Sequence, residues 1–348
     1  PTIYPPGAQL LFATSYQLNS MIGDSLSTRL TCWRLFTLLA DLALLAALLS
    51  ICRTLNIPNS ALALYVLCPL IPFESSLAGH LDLVGVSMMV IGVMFVMKGQ
   101  RFLSGVFIGA ATMIKFIPLI LLGVLVIGYL RKGLRGQLRA LSLLLAGYIS
   151  SICLIASPLF KELATFDGLW PGLKMYQNHW YFNGSLAPTC TYLLGYVFPS
   201  LSPPELRTIS QTFLGAALTL VTLIICCRLS KKRSELHFNE ILPSYFISCF
   251  LLLLCSPVVF SWYLIWLYPI ASIYLLTEKV HLWIKLIATM TIAWGVSISL
   301  TYIPRLRLLE GGLWDFDVLY PIIEYGTLSL TLIFIKRYSN SRFPLAPS

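Results

Sequence analysis

Charge is scarce in this chain of 348 residues: Asp, Glu, Lys and Arg together make up 11% of it, where soluble globular domains carry about a quarter. That alone excludes an ordinary soluble domain. Strict polar/apolar alternation is missing, which excludes a transmembrane β-barrel. There is no Walker A sequence, no GxGxxG after a strand, no HExxH and no GxSxG. ATP hydrolysis at a P-loop, dinucleotide binding and peptide cleavage by those routes are excluded with them. CxxC pairs are absent too, and the nine cysteines sit in or at the ends of apolar runs, apart from Cys190 in a loop region. There they serve as small hydrophobes, and neither a disulfide framework nor a zinc site is expected. The chain opens at Pro1 without a basic segment ahead of an apolar one, so no signal peptide is visible. Processing, or a segment upstream, is expected.

What the chain has in abundance is apolar sequence, 57% of its residues, with a mean hydropathy of +0.82. Runs of helical length occupy 7–22, 29–52, 59–73, 79–97, 102–130, 139–160, 208–228, 241–257, 261–277, 281–303 and 318–336. A bilayer core needs about 20 apolar residues in a helix to cross it. The expected fold is therefore all-α, a polytopic transmembrane helix bundle of about 10–11 membrane segments, some broken or re-entrant, in a single domain. The net charge of +10 belongs to membrane orientation rather than to nucleic acid. Basic clusters at Lys98/Arg101, Arg131/Lys132/Arg135/Arg139, Arg228/Lys231/Lys232/Arg233, Lys279 and Lys336/Arg337/Arg342 hold 14 of the 24 Lys and Arg residues. Placed in the cytoplasm, they put 161–207, 258–261 and 304–317 on the opposite face.

Two stretches resist simple counting. The run 102–130 has basic flanks on both sides, and as one helix it would span about 43 Å. A broken hairpin with its apex near Lys115-Phe116-Ile117-Pro118 fits, because proline loosens the helix there and irregular backbone at depth must line protein or a watery cavity. Residues 7–73 need an even number of crossings but offer three runs; 59–73, with Pro69 and Pro72, is the expected re-entrant or half-length helix.

Ionisable groups near a bilayer are costly and mark function. Glu74, His80 and Asp82 surround the start of one run and Lys115 caps the neighbouring hairpin, at the floor of an externally open cavity. A carboxylate and an amine so placed suit a sugar hydroxyl and a phosphate, or neutralise one another. Asp41, midway along an apolar run, reads equally as a hydrogen-bonded structural acid. The loop 161–207 holds Trp170, Tyr176, Gln177, Asn178, His179, Trp180, Tyr181, Phe182 and Asn183, a mixture of rings and amides that suits carbohydrate or an aromatic belt at the membrane surface. Trp262 and Tyr263 stand at the mouth of the bundle after the short turn from Ser256-Pro257. Arg305 and Arg307, external against the positive-inside bias, offer guanidinium groups to a lipid phosphate.

Tyr4-Pro5-Pro6-Gly7-Ala8-Gln9, Cys68-Pro69-Leu70, Gly79-His80-Leu81-Asp82, Lys115-Phe116-Ile117-Pro118-Leu119 and Ser256-Pro257…Trp262-Tyr263-Leu264 follow one another in an order that resembles the GT-C superfamily of integral-membrane glycosyltransferases. The nearest members are the bacterial mannosyltransferases that use polyprenol-phosphate-mannose. The resemblance covers about residues 1–270. It implies a polyprenyl-phosphate-linked sugar as co-substrate, a glycan or glycolipid acceptor on the external or lumenal face, and inverting transfer in a bacterial plasma membrane rather than the endoplasmic reticulum. It also implies that the general base lies in a loop upstream of Pro1, with the first span and that loop absent from the sequence. Asp82, Lys115 and His80 become the expected catalytic residues, and Tyr4, Glu74, Asn183, Trp262, Tyr263, Arg305 and Arg307 the substrate-binding ones. No metal or other cofactor is expected. Alternatives are a secondary transporter, which should show two related halves, and a non-catalytic subunit of a membrane complex.

Overall fold

The structure, a computed structural model, describes residues 3–23, 25–131, 134–159, 171, 172, 175, 186–229, 238–277, 280–300 and 326–333. It is an all-α bundle, with no β-strand among the described residues. Among the described residues three helices are long and apolar enough to cross a bilayer alone, and a bent pair makes a fourth if it forms one span. This is the polytopic architecture that the composition predicts.

The chain begins with α1 (Pro6–Ile22), where Pro5 and Pro6 preset the entry to the helix. Then comes α2 (Leu26–Leu55), capped by Ser25, whose Oγ accepts from the Thr28 backbone N–H at 3.1 Å. The next stretch is broken. A 3₁₀ turn (Asn59–Leu62) leads into α3 (Ala63–Val66), and α4 (Leu70–Pro72) passes into a π-helical turn (Phe73–Leu77). The two halves meet at 50°, around Pro69. Tyr65 donates to Asp41, Arg34 Nε donates to the Ser76 carbonyl at 3.0 Å, and Trp33 Nε1 donates to the Gly79 carbonyl at 2.8 Å. Residue pairs 41–65, 34–76 and 33–79 run in opposite senses, so 59–77 returns antiparallel along α2 as a bent pair with the form of a broken span or a re-entrant loop.

That arrangement bears on the three runs of 7–73. The expectation counted 7–22 as a membrane run, but α1 stacks Phe12 on Trp33 at 5.2 Å and holds Tyr16 within 5.9 Å of Arg29. Those partners lie in the first turns of α2, at the level of Gly79. Helix α1 therefore packs beside the first turns of α2, and α2 with the bent 59–77 pair leaves two antiparallel segments long enough to cross. Its composition agrees: α1 is not among the helices apolar enough for a span. Helix α2, at about 45 Å, is long enough to cross and still project a turn or two past the membrane to hold α1.

The next four helices form the frame of the molecule: α5 (Asp82–Met97), α6 (Arg101–Ile114), α7 (Pro118–Arg131) and α8 (Leu134–Ala156). Arg101, opening α6, lies 5.6 Å from the ring centre of Tyr129 at the end of α7. The run 102–130 is thus a hairpin broken at Lys115–Ile117, as expected, with Pro118 restarting the helix. Helix α8 then runs parallel to α6 in direct backbone contact: a Cβ on Gly105 would fall 2.0 Å from the Leu144 carbonyl oxygen, and one on Gly147 2.0 Å from that of Phe102. Small residues permit this approach, the usual device between membrane helices.

Beyond these lie α9 (Leu186–Val197), α10 (Pro203–Leu229), α11 (Phe238–Cys255), a 3₁₀ helix (Ser261–Trp266), α12 (Tyr268–Leu276) and α13 (Leu282–Leu300). Two differ from expectation. Helix α9 lies within the segment read as an external loop, and the run 261–277 is a 3₁₀ helix followed by a short α-helix. Arg131 donates to the Cys227 carbonyl, joining the ends of α7 and α10. Lys98, Arg101 and Arg131 therefore share one end of the bundle, opposite to Asp82 and Lys115. Helices α5 and α6 are about 24 and 21 Å long, less than the roughly 30 Å hydrocarbon core. If their basic ends lie at one membrane surface, as the charge distribution predicts, their other ends would fall short of the opposite one.

Candidate active site

Asp82 opens α5 and Lys115 follows the last turn of α6, so the antiparallel packing of these helices brings together two residues 33 apart in sequence. Lys115 Nζ donates to Asp82 Oδ1 at 2.5 Å, and Trp266 Nε1 donates to the same oxygen at 2.6 Å. The Asp82 side chain is 5% exposed and that of Lys115 23%. Burial of an ion pair costs free energy that only good geometry and further hydrogen bonds offset, and here the indole supplies the further bond. Asp82 Oδ2 accepts nothing among the described residues. The ammonium also lies 3.8 Å from the ring centre of Tyr263, in cation–π contact.

A second cluster adjoins the first. Glu74, in the π-helical turn and 1% exposed, accepts from Ser261 through Oε1, while its Oε2 lies 3.6 Å from His80 Nε2. The His80 backbone N–H donates to the Glu74 carbonyl at 2.9 Å. Gly79 carries φ +76°, a left-handed conformation that glycine adopts without strain, and Trp33 pins its carbonyl. These contacts fix the loop that carries His80. The imidazole stacks on Trp262 with ring centres 3.6 Å apart, and Trp262 stacks in turn on Phe260 at 4.3 Å. Burial, the largest effect, holds His80 below the usual histidine range; Asp82 opposes the shift and Lys115 adds to it.

Both clusters face one cavity of about 860 Å³. Its polar head is made by Tyr4, His80, Asp82 and Lys115, with Trp262 and Tyr263 beside them. The remainder is mostly apolar, with Thr219, Thr222, Ser248 and Ser256 among its lining, and runs between α7, α10 and α11, reaching Ile127, Leu223 and Leu252. From Leu119 to Ile127 it follows α7 for about 12 Å.

Six of the expected site residues besides Tyr4 therefore converge: Glu74, His80, Asp82, Lys115, Trp262 and Tyr263. Trp262 and Tyr263 enter differently from the ring platforms expected, since Trp262 has a ring stacked on each face and Tyr263 carries the Lys115 ammonium. Asn183, Arg305 and Arg307, with most of the aromatic residues of 161–207, lie outside the described residues. Asp41 is away from the cavity lining and accepts from Tyr65. Two participants were missed, Trp266 and Gly85. A Cβ on Gly85 would fall 2.6 Å from Trp266 Cη2, so the glycine makes room for the indole that reaches Asp82. The available signal was a tryptophan with a donor N–H inside an apolar run, which demands a partner when buried.

No curated protein and no solved structure matches the chain. Residues 1–131, the part that contains Tyr4, Glu74, His80, Asp82, Lys115 and the whole α6–α7 hairpin, match the MptA_B family model, alpha-(1->6)-mannopyranosyltransferase, N-terminal domain. That match, over about a third of the chain, supports a membrane mannosyltransferase.

Proposed function

We propose that the chain transfers mannose from a polyprenyl-phosphate donor to a hydroxyl of a glycan or glycolipid, on the face of the membrane opposite to the basic clusters. The observation that carries this reading is the Asp82–Lys115 pair at the head of a long apolar cavity. A lipid-phosphate sugar has a greasy tail, an anion and a polyol, in that order. The cavity offers a mostly apolar trough along α7 and α10, leading to a polar head with the Lys115 ammonium, the Asp82 carboxylate and the His80 imidazole.

In the reaction the acceptor oxygen attacks the anomeric carbon as the bond from that carbon to the phosphate oxygen breaks, and the electron pair leaves with the phosphate. Backside attack inverts the centre. The ammonium of Lys115 offsets the charge that grows on the departing phosphate, which is transition-state stabilisation by a preorganised cation. Asp82 holds Lys115 in place and presents Oδ2 to the sugar or acceptor hydroxyls. Arg305 and Arg307 are proposed as further phosphate ligands and Asn183 as a sugar ligand. The family description supports an acceptor mannoside with a free primary 6-hydroxyl, and a bacterial plasma membrane is the proposed location.

The test is transfer of radiolabelled mannose from polyprenyl phosphate to such a mannoside by the full gene product in proteoliposomes. Transfer by the wild type, with Lys115→Ala and Asp82→Ala each slower by about 10²–10³-fold, supports the reading. Label crossing the membrane without forming a new glycoside would make the protein a transporter instead.

A further inference from the structure

We infer that the rings of Tyr4, Phe12 and Trp33, with Arg34 at their edge, form a surface on which the trailing sugars of the acceptor lie. The inference rests on the transferase reading above and deepens it. The cavity head seats the reacting groups, and this line of rings beside it selects an oligosaccharide over a single sugar.

Continuity with the cavity is the first observation. Tyr4 lines the cavity head together with His80 and Asp82. Its ring meets Phe12 edge-on with centres 5.5 Å apart, and Phe12 stacks on Trp33 at 5.2 Å. The rings therefore run unbroken from the cavity to the first turns of α2. Tyr4 and Phe12 are each 39% exposed, so part of each ring stays open to a ligand.

Rigidity is the second. Gln9 Nε2 donates to the Tyr4 carbonyl at 2.9 Å and fixes the segment ahead of α1. Trp33 Nε1 donates to the Gly79 carbonyl at 2.8 Å, which ties the far end of the line to the turn that carries His80. Side chains already held in place lose little freedom when a ligand settles on them.

The third is the polar setting. Arg34 is exposed, and among the described residues it uses only its Nε, which donates to the Ser76 carbonyl at 3.0 Å. Gln17 on α1 and Arg29 on α2 are exposed as well. Charged groups at such a surface belong in water or among head groups, because burial in acyl chains is costly for them. A pyranose matches both features: its C–H-rich face suits the negative π-face of a ring, and its hydroxyls accept from a guanidinium. A hydrocarbon tail would leave the donors idle, and a small anion would have no use for the rings.

The experiment compares α-mannoside acceptors of one and of three sugar units, with the full gene product in proteoliposomes and polyprenyl-phosphate-linked radiolabelled mannose. For the wild type the acceptor KM should be about 5–10-fold lower with the longer mannoside, the weight of one or two ring contacts. Phe12→Leu keeps apolar bulk against Trp33 without a ring, and should bring that ratio close to one by raising the KM of the longer acceptor. Saturation-transfer NMR in deuterated detergent, with the three-unit mannoside and irradiation of the aromatic protons, reads the contact without turnover. Saturation should reach the C–H protons of the sugars behind the terminal one, and should drop in Phe12→Leu. A wild-type ratio near one, a ratio unmoved in Phe12→Leu, or saturation confined to the terminal sugar would overturn the inference and leave the rings as a belt against lipid head groups. An inactive wild type that still passes saturation to the trailing sugars would sink the transferase reading and keep the sugar surface.

Discussion

Two donors converge on Asp82 Oδ1, and they lie 33 and 184 residues away in the sequence. The first was legible. Two helices joined by the short basic turn at 98–101 must be antiparallel, and their far ends must meet. The second was not, because a contact across 184 residues leaves no trace in local pattern, and the run 261–277 reads as one uninterrupted helix. Trp266 reaches Asp82 because 261–266 winds as a 3₁₀ helix, with three residues per turn, and because Gly85 leaves room. Gly85→Ala should therefore displace the indole, cost about 1–3 kcal/mol by overpacking and lower transfer more than it lowers expression; parallel melting and transfer measurements check this. Unpairing Asp82 is a different perturbation. Lys115→Ala should cost about 3 kcal/mol, the lower end for a stranded buried charge because the cavity admits water. Lys115→Met combined with Asp82→Asn should regain most of the melting temperature without regaining activity. Recovery of both would mean that the pair only neutralises itself.

At the scale of elements, proline placed the breaks where the sequence marked them. Pro118 restarts the helix after Lys115, and Pro69 lies where the 59–77 span bends. What the sequence hid was the fate of α1. Its composition is apolar enough to be taken for a run, and only its pairing with the first turns of α2, through Phe12 and Trp33, shows where it packs. The parallel contact of α6 with α8 was equally hidden, although Gly105 and Gly147 are its physical cause. Because backbone carbonyls stand at 2.0 Å from either missing Cβ, no rotamer change can relieve a substitution. Gly105→Leu should push α6 from α8, shift the Lys115 end of the hairpin and lower the melting temperature in detergent. An unchanged melting temperature would show that the two helices do not meet there.

Taken whole, the molecule is polarised. Lys98, Arg101 and Arg131 mark one end, and the carboxylates, the imidazole and the cavity mouth mark the other. Single cysteines on a cysteine-free background should report this directly: one at Gln100 should react with an impermeant thiol reagent only from the cytoplasmic side, and one at Leu77 only from outside. Helices α5 and α6 are about 24 and 21 Å long, shorter than a bilayer core. Under the proposed function this would sink the ionisable end beneath the surface, where a lipid phosphate would reach it with its tail among apolar walls. The most direct test of that claim is photocrosslinking with a polyprenyl-phosphate-mannose that carries a photoreactive group in its tail. The account predicts adducts on α7 and α10, at the stretches around Ile120–Ile127 and Leu218–Leu223, and their loss in Lys115→Ala. Adducts confined to the lipid-facing surface of other helices, undiminished by that substitution, would contradict it.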